Sequence, residues 1–205
     1  MKPSTNTAFA LFAKRFILAL TVIATVSATP RLAAADEAPA AFIGALGNQA
    51  VSVLRSDMPL ASKAAYFHRM IHQDFDLTGI CRFVLGPYWR VASPAEQHKF
   101  RNLFAERLIR FYGRQLAQSG GGDFVVSGSR PSAEDVIVTS QIIRSQGAPI
   151  IVDWRLAVTN GLYKIKDVAI DGVSMALAQR SQIAALIART GGQFGMVLAT
   201  MRGEG

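Results

Sequence analysis

A lone cysteine, Cys81, sits in a chain of 205 residues, so no disulfide can close within it and the fold has to stand on its buried core. Between Ile80 and Phe83 on a short helical stretch, this thiol is expected to be a small buried hydrophobe. Long apolar runs are missing too. A membrane span needs ~20 apolar residues, and FILALTVIATV, from Phe16 to Val26, falls well short of that. Acidic residues are scarce, 14 against 22 basic ones. The basic residues are scattered along helices and form no patch interleaved with aromatics, which argues against nucleic acid as a partner. Ligand motifs are absent as well. His68 and His72 lie one helical turn apart, but Arg69-Met70-Ile71 between them lacks the glutamate of the zinc-protease motif and no third ligand follows. They read as surface or capping histidines, and neither a metal nor a cofactor is expected. Ser119-Gly120-Gly121-Gly122-Asp123 precedes no Lys-Ser/Thr and leads from helix to strand, so it is a turn and not a phosphate loop.

What is present begins with Lys14-Arg15, the apolar run after it, and Ala33-Ala34-Ala35 before Asp36. That order is the signature of a cleaved export signal over residues 1–35, leaving residues 36–205 as a single domain, with an uncleaved anchor as the alternative. Cleavage would remove Lys2, Lys14, Arg15 and Arg31, four of the 22 basic residues and none of the 14 acidic ones, so the net charge falls from +8 to +4. A mildly basic exported protein suits transient contact with anionic head groups or an acidic partner, or simply a solvated face.

The longest amphipathic pattern starts at Ser93-Pro94-Ala95-Glu96, a capping box with proline at the first helical position. From there to Leu116, Phe100, Leu103, Phe104, Leu108, Phe111 and Tyr112 recur at steps of three and four. Upstream, apolar stripes predict helices over Ala38–Ser56 and from Leu60 to Ile71. A short helix LTGICRFVL follows, capped by Asp76 and ended by Gly86-Pro87. Downstream the period changes to two. Strands are expected at Phe124–Arg130, Asp135–Arg144, Ile150–Thr159 and Tyr163–Ile170, with Asn160-Gly161 as a tight hairpin turn. Val168 and Ile170 fall out of phase with Tyr163 and Ile165, which predicts a bulge or sharp twist at Asp167. Two short helices broken at Gly191-Gly192 close the chain. Helices on both sides of a run of strands mean an α+β fold, a strongly twisted antiparallel sheet of about four strands partly wrapped by helices.

The segments FDLTGICRFVLGPYWR, SPAEQHKFRNLFAERLIRFYGRQL, VDWRL and YKIKDVAIDGVSMALAQRSQ, taken in order, resemble the MlaC or toluene-tolerance family of periplasmic phospholipid carriers over nearly the whole mature chain. The resemblance implies a soluble periplasmic carrier in a Gram-negative envelope. Such a carrier shuttles glycerophospholipid between an inner-membrane ABC permease with an MCE-domain ring and an outer-membrane lipoprotein complex, so maintaining outer-membrane lipid asymmetry. One branch of the family is linked to hopanoids.

The carrier role makes a physical demand. At about 0.8 kcal/mol per methylene, a ~16-carbon acyl chain costs on the order of 12 kcal/mol to expose to water, so the tails must be hidden. The head group keeps its hydration best at the mouth. Candidate lining residues of an enclosed apolar lipid pocket are Phe104, Leu108, Phe111 and Tyr112 from the long helix. From the strands come Val138, Ile142, Trp154 and Leu156, then Ile165, Val168 and Ile170, with Met175 beyond them; plain core is the alternative for each. Two rival functions stand beside this one. A hopanoid or apolar-solvent binder would use the same pocket. An isomerase-like enzyme would use Asp153, Asp167 and Asp171 as acid and base, but the sequence offers no nucleophile elbow and no histidine near them, so no catalytic residues are assigned.

Overall fold

The computed structural model describes residues 31–118, 122–144 and 146–203, with side chains from residue 37 onward except for residues 114–118 and 145. Residues 1–30 of the expected export segment, and the glycine turn at 119–121, lie outside the described residues.

Among the described residues, five helices come first. α1 (Arg31–Arg55) starts earlier than its apolar stripe suggested, because the alanine-rich stretch ahead of Ala38 has the highest helix propensity, and it carries a buried Pro39 within it. α2 (Leu60–Asp74) ends at the extended Phe75. Asp76 then caps α3 (Leu77–Leu85) by accepting from the Gly79 amide at 2.9 Å. Gly86, at φ 55°, stops α3. Pro87 is already helical at φ −58°, so a single turn not expected from sequence, α4 (Tyr88–Val91), follows at once. The capping box forms as read. Ser93 Oγ accepts from the Glu96 amide at 3.3 Å and Glu96 Oε2 accepts from the Ser93 amide at 2.8 Å, opening α5 (Pro94–Gln118).

The strands are β1 (Asp123–Ser132), β2 (Asp135–Ile143), β3 (Ile150–Thr159), β4 (Leu162–Ile170) and β5 (Val173–Ser174), antiparallel and in sequence order. Asn160 and Gly161 take φ 52° and 76° in the β3–β4 turn. Asp171 and Gly172 repeat that geometry at 47° and 83°, and this second turn creates the short β5. Arg155 faces Asp167 while the next residue, Leu156, faces Ile165, so Lys166 is the extra residue of a bulge. The bulge restores Val168 and Ile170 to the face that Ile165 occupies. α6 (Met175–Arg189) and α7 (Phe194–Gly203) complete an α+β fold, separated by Gly191 and Gly192 at φ 62° and 77°.

The apolar interior divides in two. One cluster is helical, built around Cys81, Phe100, Phe104, Ile183, Val197 and Met201. The other joins Ile43 of α1 to Val138, Leu156 and Ile165 of the sheet. Phe75 packs against both. Beside it, the Asp76 amide donates to the Ile165 carbonyl at 2.9 Å and Lys164 Nζ donates to the Gln73 carbonyl. The α2–α3 junction thus covers the open edge of β4, which would otherwise be free to pair with another chain.

Candidate functional site

Side chains directly opposed in an antiparallel ladder share a face. Val138 lies opposite Trp154, and Trp154 opposite Val168; Leu156 lies opposite Ile165, Val152 opposite Ile170, and Ile142 opposite Ile150 and Phe124. All seven strand residues proposed for the lining therefore share one face. Val138, Leu156 and Ile165 are fully buried against Ile43, with Phe124, Val126, Trp154 and Val168 partly buried around them. The indole Nε1 of Trp154 donates to the buried Ser140 Oγ at 2.8 Å, so these two polar groups on the apolar face satisfy each other.

The other face is polar. Thr139 Oγ1 donates to Asp153 at 2.5 Å, Arg130 reaches both of them, and Lys166 and Arg155 converge on Asp135. Burial works to raise the Asp153 carboxyl, but the hydrogen bonds from Thr139 and Arg130, with the Arg130 charge, outweigh it and hold the group below the usual carboxylate range. Asp167 accepts from the Val168 and Ala176 amides and from Ser174 Oγ, which ties the start of α6 to β4. Asp171 accepts from the Ile151 amide. Each aspartate considered as an acid or base is thus engaged in holding strands, turns or helix starts together.

The helical residues of the proposed lining separate along α5. Phe104 stacks on Phe100 at 5.7 Å deep in the helical cluster. Leu108 is half-buried against the same cluster, Tyr112 is half-buried, and Phe111 is 44% exposed. α5 packs chiefly on α2, α3 and α7, whereas α6 bears on α3 and on β4, and α1 on β1. The sheet face and the α5 stripe consequently belong to different clusters, with Met175 half-buried at the start of α6. Two open clefts lie elsewhere: about 420 Å³ between the α3–α4 turn and α6, and about 590 Å³ between α1 and the start of β1. Neither is lined by any of the twelve residues.

Sequence reasoning missed Gln179. It is 3% exposed, and its Nε2 donates to the Tyr112 hydroxyl at a long 3.4 Å. Its signal was there to read: counting back four from Ile183 on the apolar stripe of α6 lands on Gln179. Burial raises the Tyr112 phenol above its ordinary range, against the pull of Gln179 and Arg107. His68 and His72 are both exposed with ring centroids 4.3 Å apart, and no group of three or more potential metal ligands occurs among the described residues. Cys81 is fully buried, and burial pushes its thiol far up, away from reactivity. Among the described residues, no single helix is long and apolar enough to cross a membrane.

Three comparisons bear on this geometry. The family model described as MlaC protein matches residues 45–202. The toluene tolerance protein Ttg2D of Pseudomonas putida is 23% identical over 139 residues, which cover 67% of this chain and 65% of that protein. The chain therefore spans just under two thirds of the length of that curated relative. A solved phospholipid-binding protein from Ralstonia solanacearum, in complex with a phospholipid, aligns at TM-score 0.65 and 21% identity. The alignment covers 82% of this chain and 95% of that one, and what the two share is the fold.

Proposed function

Because the chain belongs to the MlaC protein family, we propose that it is a phospholipid carrier, not an enzyme, holding acyl chains between the apolar sheet face and the helical layer. The observation that carries this reading is the two-faced sheet. One face gathers Val138, Trp154, Leu156, Ile165 and Val168, while the main amphipathic helix, α5, packs on other helices and leaves that face to α1. An apolar face opposite an independently packed helical layer can part to admit chains without dismantling either cluster. The bound phospholipid of the Ralstonia solanacearum protein, which has the same fold, supports the same choice of ligand.

In this reading Leu108, Phe111, Tyr112 and Met175 meet the chains from the helical side, and Ile142 and Ile170 from the sheet margin, while Phe104 anchors the helix behind them. The head group stays at the surface, where it keeps its water. Residues 1–35 direct export and are removed, so the carrier works in the periplasm. It travels there between the MCE-domain permease of the inner membrane and the lipoprotein complex of the outer membrane, sustaining outer-membrane lipid asymmetry.

The test is to purify the protein gently from its native envelope, extract it with organic solvent and identify the lipid by mass spectrometry. Stoichiometric glycerophospholipid is expected. Lipid-free protein would refute the carrier reading, and a hopanoid in its place would redirect it to the other branch of the family.

A further inference from the structure

Among the described residues, Gln179 is the one interior residue whose burial neither packing nor hydrogen bonding explains. The inward stripe of α6 runs through Gln179, Ile183, Leu186 and Ile187, all of them buried. Leucine or methionine at position 179 would continue it. Instead an amide is taken out of water with its Oε1 unpartnered, and its Nε2 holds only the 3.4 Å contact to Tyr112. Turning the amide over lets the Tyr112 hydroxyl donate to Oε1, but Nε2 is then the group left over. In either orientation one amide group faces the interior unsatisfied, which a packed core avoids.

The position of the pair is informative. Tyr112 follows Phe104 and Leu108 at steps of four on α5, at the point where that stripe leaves the helical cluster. Gln179 lies one turn after Met175, at the end of α6 that Asp167 pins to β4 next to Val168. The two side chains thus meet between the outer end of the α5 stripe and the end of α6 that Asp167 ties to β4.

We propose that Gln179 and Tyr112 form the polar fixing point of the bound phospholipid. The Tyr112 hydroxyl donates to Gln179 Oε1, and Gln179 Nε2 donates to an acyl ester carbonyl at the junction of glycerol and tail. A neutral amide and hydroxyl suit a neutral carbonyl, since an ionised phosphate brought to a buried site would need a cation in contact, and the Arg107 guanidinium that acts on Tyr112 is turned to the surface, donating to Gln182 Oε1. The pair sets how deep the lipid sits and distinguishes ester-linked chains from tails that carry no carbonyl. This inference rests on the phospholipid-carrier reading.

The test uses the delipidated full-length mature protein, reloaded from vesicles of a diacyl phosphatidylglycerol or of its dialkyl ether analogue with matched chains. Wild type is expected to take up the ester lipid about five- to tenfold more tightly, the scale of one buried hydrogen bond. Gln179→Leu should bind both lipids alike, at the wild-type level for the ether. It should also raise the thermal midpoint of the lipid-free protein, because an unsatisfied amide has gone. Tyr112→Phe should narrow the ester preference without raising that midpoint as much. If Gln179→Leu does not fold, Gln179→Met carries the same comparison. Equal binding of the two lipids by wild type, or an undiminished ester preference in the Gln179 variant, overturns the inference and leaves the carrier reading standing. Failure of wild type to take up either lipid overturns the carrier reading itself.

Discussion

At the scale of single residues, the polar groups of the sheet serve structure, and Asp153 is the clearest case. Its carboxylate receives Thr139 and Arg130 on the face away from the apolar cluster, which lowers its folded-state value below the ordinary 3.8. A depressed carboxylate stabilises the fold at pH above its unfolded value, and that contribution is lost as pH falls from about 3.8 through the folded value. Urea midpoints measured between pH 5 and pH 2.5 should therefore drop in wild type. Asp153→Asn should start lower at pH 5 and show a shallower drop. A variant with the same acid slope as wild type would mean that Asp153 is no part of it. Gln179 is the opposite case, a polar residue that the surrounding structure leaves unsatisfied.

At the scale of elements, α2 and α5 bring together the histidines His68, His72 and His98. Although His72 is exposed, partial desolvation against its neighbours lowers it below its usual value, and the charges of His68, Arg101 and His98 lower it further. Those same groups face it from both helices. The sign is the reverse of the common histidine case. Because the folded state holds the His72 proton more weakly than the unfolded chain, stability is full above pH 6.5 and declines as pH falls below it. Thermal unfolding between pH 7.5 and pH 5 should show this decline, and His72→Gln should flatten it. An unchanged slope in the variant would place the acid sensitivity elsewhere. Either result bears on the α2–α5 contact and leaves the sheet face unaffected, since no strand residue takes part.

At the scale of the whole molecule, the question is whether the apolar sheet face is a wall or only core. Val138→Glu places a charge at its centre, and Leu108→Arg places one on the helical side. In solid core, either charge would be stranded at several kcal/mol and the domain would unfold. If the faces part around acyl chains, water can enter around the new charge once lipid leaves. At least one variant is expected to unfold cooperatively on heating while carrying no phospholipid by mass spectrometry. Loss of folding in both would favour plain core. Export makes a separate prediction: protein recovered from periplasm should begin near Asp36, and recovery of the intact Met1 segment there would count against cleavage.

The sequence by itself determined the kind and order of the elements and which way most of them face, because those depend on local periods and on turn residues that need no distant partner. The capping box at Ser93, the Asp76 cap, the Asn160-Gly161 turn and the phase slip before Val168 could each be read within a few residues. Local signals were also strong enough for the family resemblance, and the match over residues 45–202 bears it out. β5 was missed because two residues carry too little period to register, although Asp171-Gly172 repeats the turn chemistry of Asn160-Gly161. Only the tertiary structure decided that the apolar residues divide into two clusters, with Phe104 in one and Val138 in the other. Periodicity says that a side chain points inward; it does not say which layer receives it. The meeting of Gln179 with Tyr112, 67 positions apart in the chain, follows from how α5 and α6 pack, and no local pattern encodes a contact between helices with a whole sheet between them in sequence.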